Sequence, residues 1–259
     1  MTTFIKSETD GGVLKITLNR PDKFNSFNRA MALELQAALD KAASDKSIRA
    51  VLLTGEGKAF CAGQDLSEAM DTSGPGIERI VREHYNPIIL KIRNLEKPVV
   101  CAVNGVAAGA GANIALACDV VIAAASVAFI QAFSKIGLIP DSGGTFFLPR
   151  LIGFGKASAL MMLGDKVSAA DAEKMGMVYK MVDDANLQTE SNVIAKTLAE
   201  MPTKGIGYTK LLLNKSMSNN LVDQLTYEGD MQVHAASTYD YTEGVNAFLE
   251  KRKPTFKGE

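Results

Sequence analysis

The segment GVLKITL at 12–18 alternates apolar and polar residues until Asn19, Arg20, Pro21 and Asp22 break the rhythm, which predicts a strand running into a loop. Asn28 stands where a helix N-cap belongs, and Met31, Leu35, Ala38, Leu39 and Ala42 follow it at helical spacing. IRAVLLTG then predicts a short buried strand ending in glycine. The same rhythm returns as a helix around 77–95, the apolar strand PVVCAV at 98–103, a small-residue helix from about 109 and the strand VVIAA at 120–124. Strands alternating with helices predict an α/β fold with a mainly parallel sheet and crossover connections. Beyond residue 150 the pattern becomes helical, with segments near 154–164, 168–175, 187–200, 203–217, 221–235 and 241–251. We divide the chain into a core over 1–200 and a helical region over 201–259. The apolar faces of these helices exceed what so short a region buries internally, so they are expected to cover the core or a second copy of the chain.

Composition narrows the function classes. With 47% apolar residues in 259, the chain can bury an extended core, and a net charge of −1 with both signs interspersed gives no field for nucleic acid or an anionic membrane. Cys61, Cys101 and Cys118 form an odd set without CxxC or histidine spacing, so reduced, buried thiols are expected and a metal constellation is not. MTTFIKSETD has no basic segment leading into an apolar run, and no stretch reaches ~20 uninterrupted apolar residues, so neither a signal peptide nor a membrane span is expected. The cytoplasm is the expected compartment.

Three glycine-rich stretches lie where a strand gives way to a loop or helix: FCAGQDL at 60–66, NGVAAGAGAN at 104–113 and GLIPDSGGT at 137–145. In a parallel sheet the ligand crevice lies beyond the carboxyl ends of the strands, where small residues let backbone N–H groups approach a ligand. Each stretch alone can be an ordinary tight turn. GAGANI at 109–114 also matches the first two glycines of a dinucleotide fingerprint, but isoleucine holds the third position and no ribose-binding acid follows ~20 residues on, so a nicotinamide enzyme is disfavoured.

Taken with LNRPDKFNSFN at 18–28, KPVVCAVNGVAAGAG at 97–111, GLIPDSGGTFFLPRLIG at 137–153 and EGVNAFLEKRKPTF at 243–256, these stretches resemble the crotonase, or enoyl-CoA hydratase/isomerase, superfamily. The resemblance implies a core of repeated ββα units with a helical C-terminal trimerisation region. It implies a homotrimer or hexamer acting on an acyl-CoA thioester, with no cofactor beyond the CoA of the substrate. By motif position the thioester oxygen would be held by the backbone N–H groups of Gln64 and Ala110. CoA would lie against Lys23, Phe24 and Ser26, and against Ala62, Asp65 and Leu66. Phe133, near which the acyl group would lie, and Pro140 would also contact the substrate, and Phe248 and Lys251 would reach CoA on a neighbouring subunit.

The acids discriminate among activities. Where family hydratases carry two glutamates, this chain has Asn113 and Phe133, so direct water addition lacks both carboxylates. Asp141, in IPDSGGT, stands where hydratases usually have glycine. One carboxylate suits a 1,3-proton shift, because the base that takes a proton from one carbon can return it to another. Phe133, Ile139 and Phe146 are expected to make its surroundings apolar and raise its pKa. The competing assignment for Asp141 is a cap for the helix starting at Ser142-Gly143-Gly144.

Within the family the motifs most resemble the ring-epoxide isomerases of aerobic phenylacetate breakdown. A halobenzoyl-CoA dehalogenase needs a histidine where this chain has Asn86, and His84, two residues away, should face elsewhere. A CoA-binding assembly subunit without catalysis is the alternative from a different class.

Overall fold

A computed structural model describes residues 3–259. Six strands, β1 (Ile5–Asp10), β2 (Val13–Leu18), β3 (Ala50–Gly55), β5 (Val99–Val103), β7 (Val120–Ala124) and β10 (Lys180–Val182), form one sheet in the order β1-β2-β3-β5-β7-β10. All neighbours are parallel except β1 and β2. A second sheet of β4 (Ala59–Cys61), β6 (Val106–Ala108), β8 (Ala128–Ile130) and β9 (Lys166–Ser168) runs beside it. β3 leads directly into β4, β5 into β6 and β7 into β8, so each turn of the chain lays one strand in each sheet before its helix. The parallel sheet is therefore built from ββα turns in place of the simple crossovers expected from periodicity.

The predicted long elements are present. β3 and β5 are apolar and buried almost throughout, as strands covered on both faces must be. The helix Arg29–Ser44 buries Met31, Ala32, Leu35, Ala38, Leu39 and Ala42, and the Asn28 side chain caps it by accepting from the Met31 N–H at 2.9 Å. β1 was not predicted: five of its six residues are exposed, so it carries no apolar rhythm. It is held by backbone pairing to β2 through a two-residue turn, Gly11-Gly12, with both φ values positive (55° and 80°).

The C-terminal helices are fastened to the core by charge as well as by apolar contact. Lys210, on the helix Thr203–Ser216, is buried and pairs with Asp119 at 2.7 Å while donating to the Ile92 carbonyl. Asp119 also pairs with Arg93 at 3.0 Å and accepts from the Val99 N–H at the start of β5. Among the described residues, no helix is long and apolar enough to cross a membrane.

Candidate active site

The first wall of the site is two zipped loops. Arg20 links them, donating to the Ser26 carbonyl at 2.6 Å and pairing with Asp65 at 2.9 Å. Main-chain bonds from Ala62 N–H to the Phe24 carbonyl, Phe27 N–H to Gly63 and Asp65 N–H to Phe27 close the seam. Asn25 is fully buried beneath it, donating to the Glu56 and Ala59 carbonyls. The structure thus brings together the loops carrying Lys23, Phe24 and Ser26 and those carrying Ala62, Asp65 and Leu66. Lys23, Phe24, Ala62 and Leu66 are exposed, whereas Ser26 is buried. The Asp65 side chain is occupied within the protein: burial opposes its charge, but Arg20 and the Ser67 N–H outweigh that and hold it below the usual carboxylate range.

Two glycines then bring two amides side by side. Gly63 has φ +92°, and a Cβ there would stand 3.0 Å from the Ala108 carbonyl and 3.5 Å from the Ala110 nitrogen. Gly109 has φ +53°, a conformation that L side chains rarely adopt. Ala110 opens the helix Ala110–Leu116, where first-turn amides have no carbonyl behind them. Among the described residues neither the Gln64 nor the Ala110 N–H donates a hydrogen bond. Two adjacent free donors are what a developing oxyanion requires.

The same helix leads to Asp141. Asn113, one turn in from Ala110 and fully buried, donates through Nδ2 to the Asp141 main-chain carbonyl at 2.9 Å. That carbonyl also accepts from the Gly144 N–H. The helix Gly144–Ile152 starts after Gly143 with no side-chain cap, so capping does not account for Asp141. Its carboxylate accepts only from the Ser142 hydroxyl among described side chains, at 2.9 Å. Burial raises its pKa above the ordinary value, and the Ser142 hydroxyl and its own N–H offset part of that rise.

Ser142 itself sits at φ +51°, left-handed backbone of a kind that stores ~1–3 kcal/mol and concentrates at functional sites. Of the expected apolar neighbours, Phe133 is buried and its ring stands against Gly109. Ile139 is 81% exposed and Phe146 42%, so these two do not shield the carboxylate within one chain. Pro140 beside it is half-buried.

Tyr85, which no sequence motif marks, completes the ring of contacts. It is fully buried, packs edge-on against Phe27 and donates to Gln64 Oε1 at 2.9 Å. Burial, the Cys61 thiol and the nearby Asp141 charge push its pKa well up, so it stays a phenol. Its placement comes from one π-type turn, Ile80–Tyr85, inside an otherwise α-helical run. Glu68 is a second carboxylate in this neighbourhood, but its oxygens are engaged by the Arg29 N–H and by Gln64 Nε2. His84 faces the other way: it is buried with Nε2 3.1 Å from Arg29, and burial lowers its pKa. Asn86 is exposed.

The whole of residues 8–259 matches the family described as Enoyl-CoA hydratase/isomerase. The chain belongs to that family. It is 47% identical to the 1,2-epoxyphenylacetyl-CoA isomerase of Escherichia coli over the full length of both proteins. It is 44% identical to a "Probable enoyl-CoA hydratase" of Rhodobacter capsulatus over 98% of each. The crystal structure of an enoyl-CoA hydratase from Bacillus anthracis superposes with a TM-score of 0.92 at 35% identity, covering 99% of this chain and 100% of that one. In this member of the enoyl-CoA hydratase/isomerase family, Asn113 holds Asp141 through its main-chain carbonyl and the Phe133 ring stands against Gly109. Phe248 and Lys251 lie far along the sequence from these, on the last helix, Tyr239–Glu250, and at its C-terminal cap; Phe248 is 84% exposed.

Proposed function

We propose that this protein is an acyl-CoA isomerase in which Asp141 carries a proton between carbons of the acyl group. The observation that carries this reading is a single shielded carboxylate, on a loop tied to the helix whose first amide is the free donor of Ala110. In the proposed step the Asp141 carboxylate removes the proton from the carbon beside the thioester. The electron pair moves onto the thioester oxygen, where the Gln64 and Ala110 N–H groups stabilise the enolate. The resulting carboxylic acid returns the proton to the γ carbon, and a β,γ double bond becomes an α,β one with no net change in composition. With a ring-epoxide phenylacetyl-CoA the same proton shift accompanies opening of the epoxide toward an oxepin, a substrate suggested by the likeness to the Escherichia coli isomerase.

Asn113 and Phe133 support isomerisation over hydration, since neither can activate a water by taking its proton. CoA would lie along the zipped loops at Lys23, Phe24, Ser26, Ala62, Asp65 and Leu66, with no cofactor besides. Exposed apolar side chains on the C-terminal helices, Leu221, Val222, Phe248 and Leu249 among them, support a trimer or hexamer in which Phe248 and Lys251 meet a neighbour's CoA. Three free, buried cysteines fit a cytoplasmic protein.

Product mass separates the readings. Incubation with a β,γ-enoyl-CoA is expected to give a conjugated thioester of unchanged mass. A product heavier by one water marks a hydratase. Binding of CoA without turnover of any enoyl- or epoxy-CoA marks an assembly subunit.

A further inference from the structure

Asn113 stands where the family resemblance places a missing glutamate, and its side chain is hydrogen-bonded at both ends. Asn113 is fully buried. Its Nδ2 donates to the Asp141 carbonyl at 2.9 Å, and its Oδ1 accepts from Gln131 Nε2 at 2.8 Å. The polarity of this relay follows from chemistry alone. A main-chain carbonyl only accepts, so the nitrogen of Asn113 must face Asp141 and its oxygen must face Gln131. Gln131, 3% exposed, must then turn its nitrogen inward, and its own oxygen is left without a partner among the described residues.

Steric contact reinforces it. A Cβ on Gly144 would stand 2.4 Å from Asn113 Nδ2, so the loop 141–144 lies directly on this amide. The loop contains left-handed Ser142 and Gly143 in succession, and for Ser142, which is not glycine, such backbone persists only when its surroundings determine it.

We propose that Asn113, oriented by Gln131, is the positioning residue that fixes Asp141 relative to the Ala110 amide. This inference rests on the proposed isomerase reading. Ala110 and Asn113 share one helix, so the donor that receives the enolate charge and the tether that sets the base move as one rigid unit. The substitution that removes the hydratase acid thereby supplies the isomerase with its alignment. A glutamate at 113 would be longer by one methylene, against a contact with no room, and its ionised oxygens would face the carbonyl that Nδ2 now holds.

The test compares Asn113→Asp, Asn113→Leu and Gln131→Leu in the full chain, read by isomerisation kinetics across pH and by hydrogen exchange at the Gly144 amide. In Asn113→Asp the new carboxyl group accepts from Gln131 as the amide does, but donates to the Asp141 carbonyl only when protonated. The kcat of that variant is expected to fall by ~10- to 100-fold at pH 8, the scale of a misplaced catalytic group, with KM little changed. The ratio of variant to parent should recover as pH falls. Titratable groups facing the cluster are Asp141 itself, the Tyr85 phenol with Glu68 beyond it, and the Cys61 thiol against Gly111. Burial pushes the last up to about 12, and both phenol and thiol remain neutral through this range. Asn113→Leu should lose rate by the same scale with a ratio to parent that is flat in pH. Gly144 exchange should quicken in all three variants while the remaining helices keep parental protection.

Parental kcat and parental Gly144 exchange in Asn113→Leu and Gln131→Leu overturn the proposal. So does an equal, pH-independent loss in the aspartate and leucine variants. Asp141→Asn, measured alongside, keeps the two claims separate. Parental turnover there discards the isomerase reading, and Gly144 exchange still decides whether the tether exists.

Discussion

Asparagine in place of Asp141 is expected to lower the kcat of isomerisation by about two to four orders of magnitude, the contribution of a general acid–base group, with CoA affinity unchanged. The same substitution is expected to raise the melting temperature at neutral pH. Burial raises the folded-state pKa of Asp141, so at neutral pH the fold is less hospitable to its charge than water is. As pH falls through that raised pKa, the buried carboxyl protonates and the penalty recedes. Below the unfolded-state value of ~3.9 it is gone, and the parent and the amide variant should melt together. Melting curves at several pH values check the sign: a gain that is present at pH 7 and closes toward pH 3 supports a shielded base held at a cost to stability. A variant that is less stable than the parent at every pH contradicts it.

The second large effect concerns a backbone amide, which side-chain substitution ordinarily cannot reach. Ala110 is the first residue of its helix, and proline is well tolerated there because the N–H has no intrahelical partner and the fixed φ suits a helix start. Gly109 ahead of it lacks the Cβ through which proline chiefly restricts its predecessor. Ala110→Pro should therefore fold with a circular dichroism spectrum like the parent's while losing one oxyanion donor. Removal of such a donor lowers kcat by ~10²–10³-fold. Parental turnover in a folded Ala110→Pro protein would remove that amide from the chemistry. A loss confined to KM would assign it to binding alone.

Legibility from sequence followed the length of the signal. The strand at 12–18 and the helix behind Asn28 were readable because several residues repeat a period over a long window. The second sheet was not, since β4, β6, β8 and β9 have three residues each, too few for any alternation to register. β1 was hidden by its polar sequence, although Asp10-Gly11-Gly12 before an alternating segment was a hairpin signal.

In the candidate site, Gln64, Ala110 and Asp141 were singled out through family motifs. The contact between Asn113 and Asp141 was not, because it joins an amide to a main-chain carbonyl 28 residues away and leaves no mark on periodicity or composition. Tyr85 was obscured for a related reason. The π turn that aims it at Gln64 displaces it from the face that α-helical spacing would assign. Ile139 and Phe146 show the converse error, apolar residues adjacent in sequence to Asp141 whose side chains the fold leaves outside.

The central claim is that one carboxylate takes a hydrogen from the carbon beside the thioester and places it on the γ carbon without exchange through solvent. A β,γ-enoyl-CoA deuterated at the carbon beside the thioester, converted in ordinary water and analysed by NMR at early turnover, tests it directly. Deuterium recovered at the γ carbon of the conjugated product is the predicted result. A γ carbon that carries only solvent hydrogen, at every stage of conversion, would contradict it.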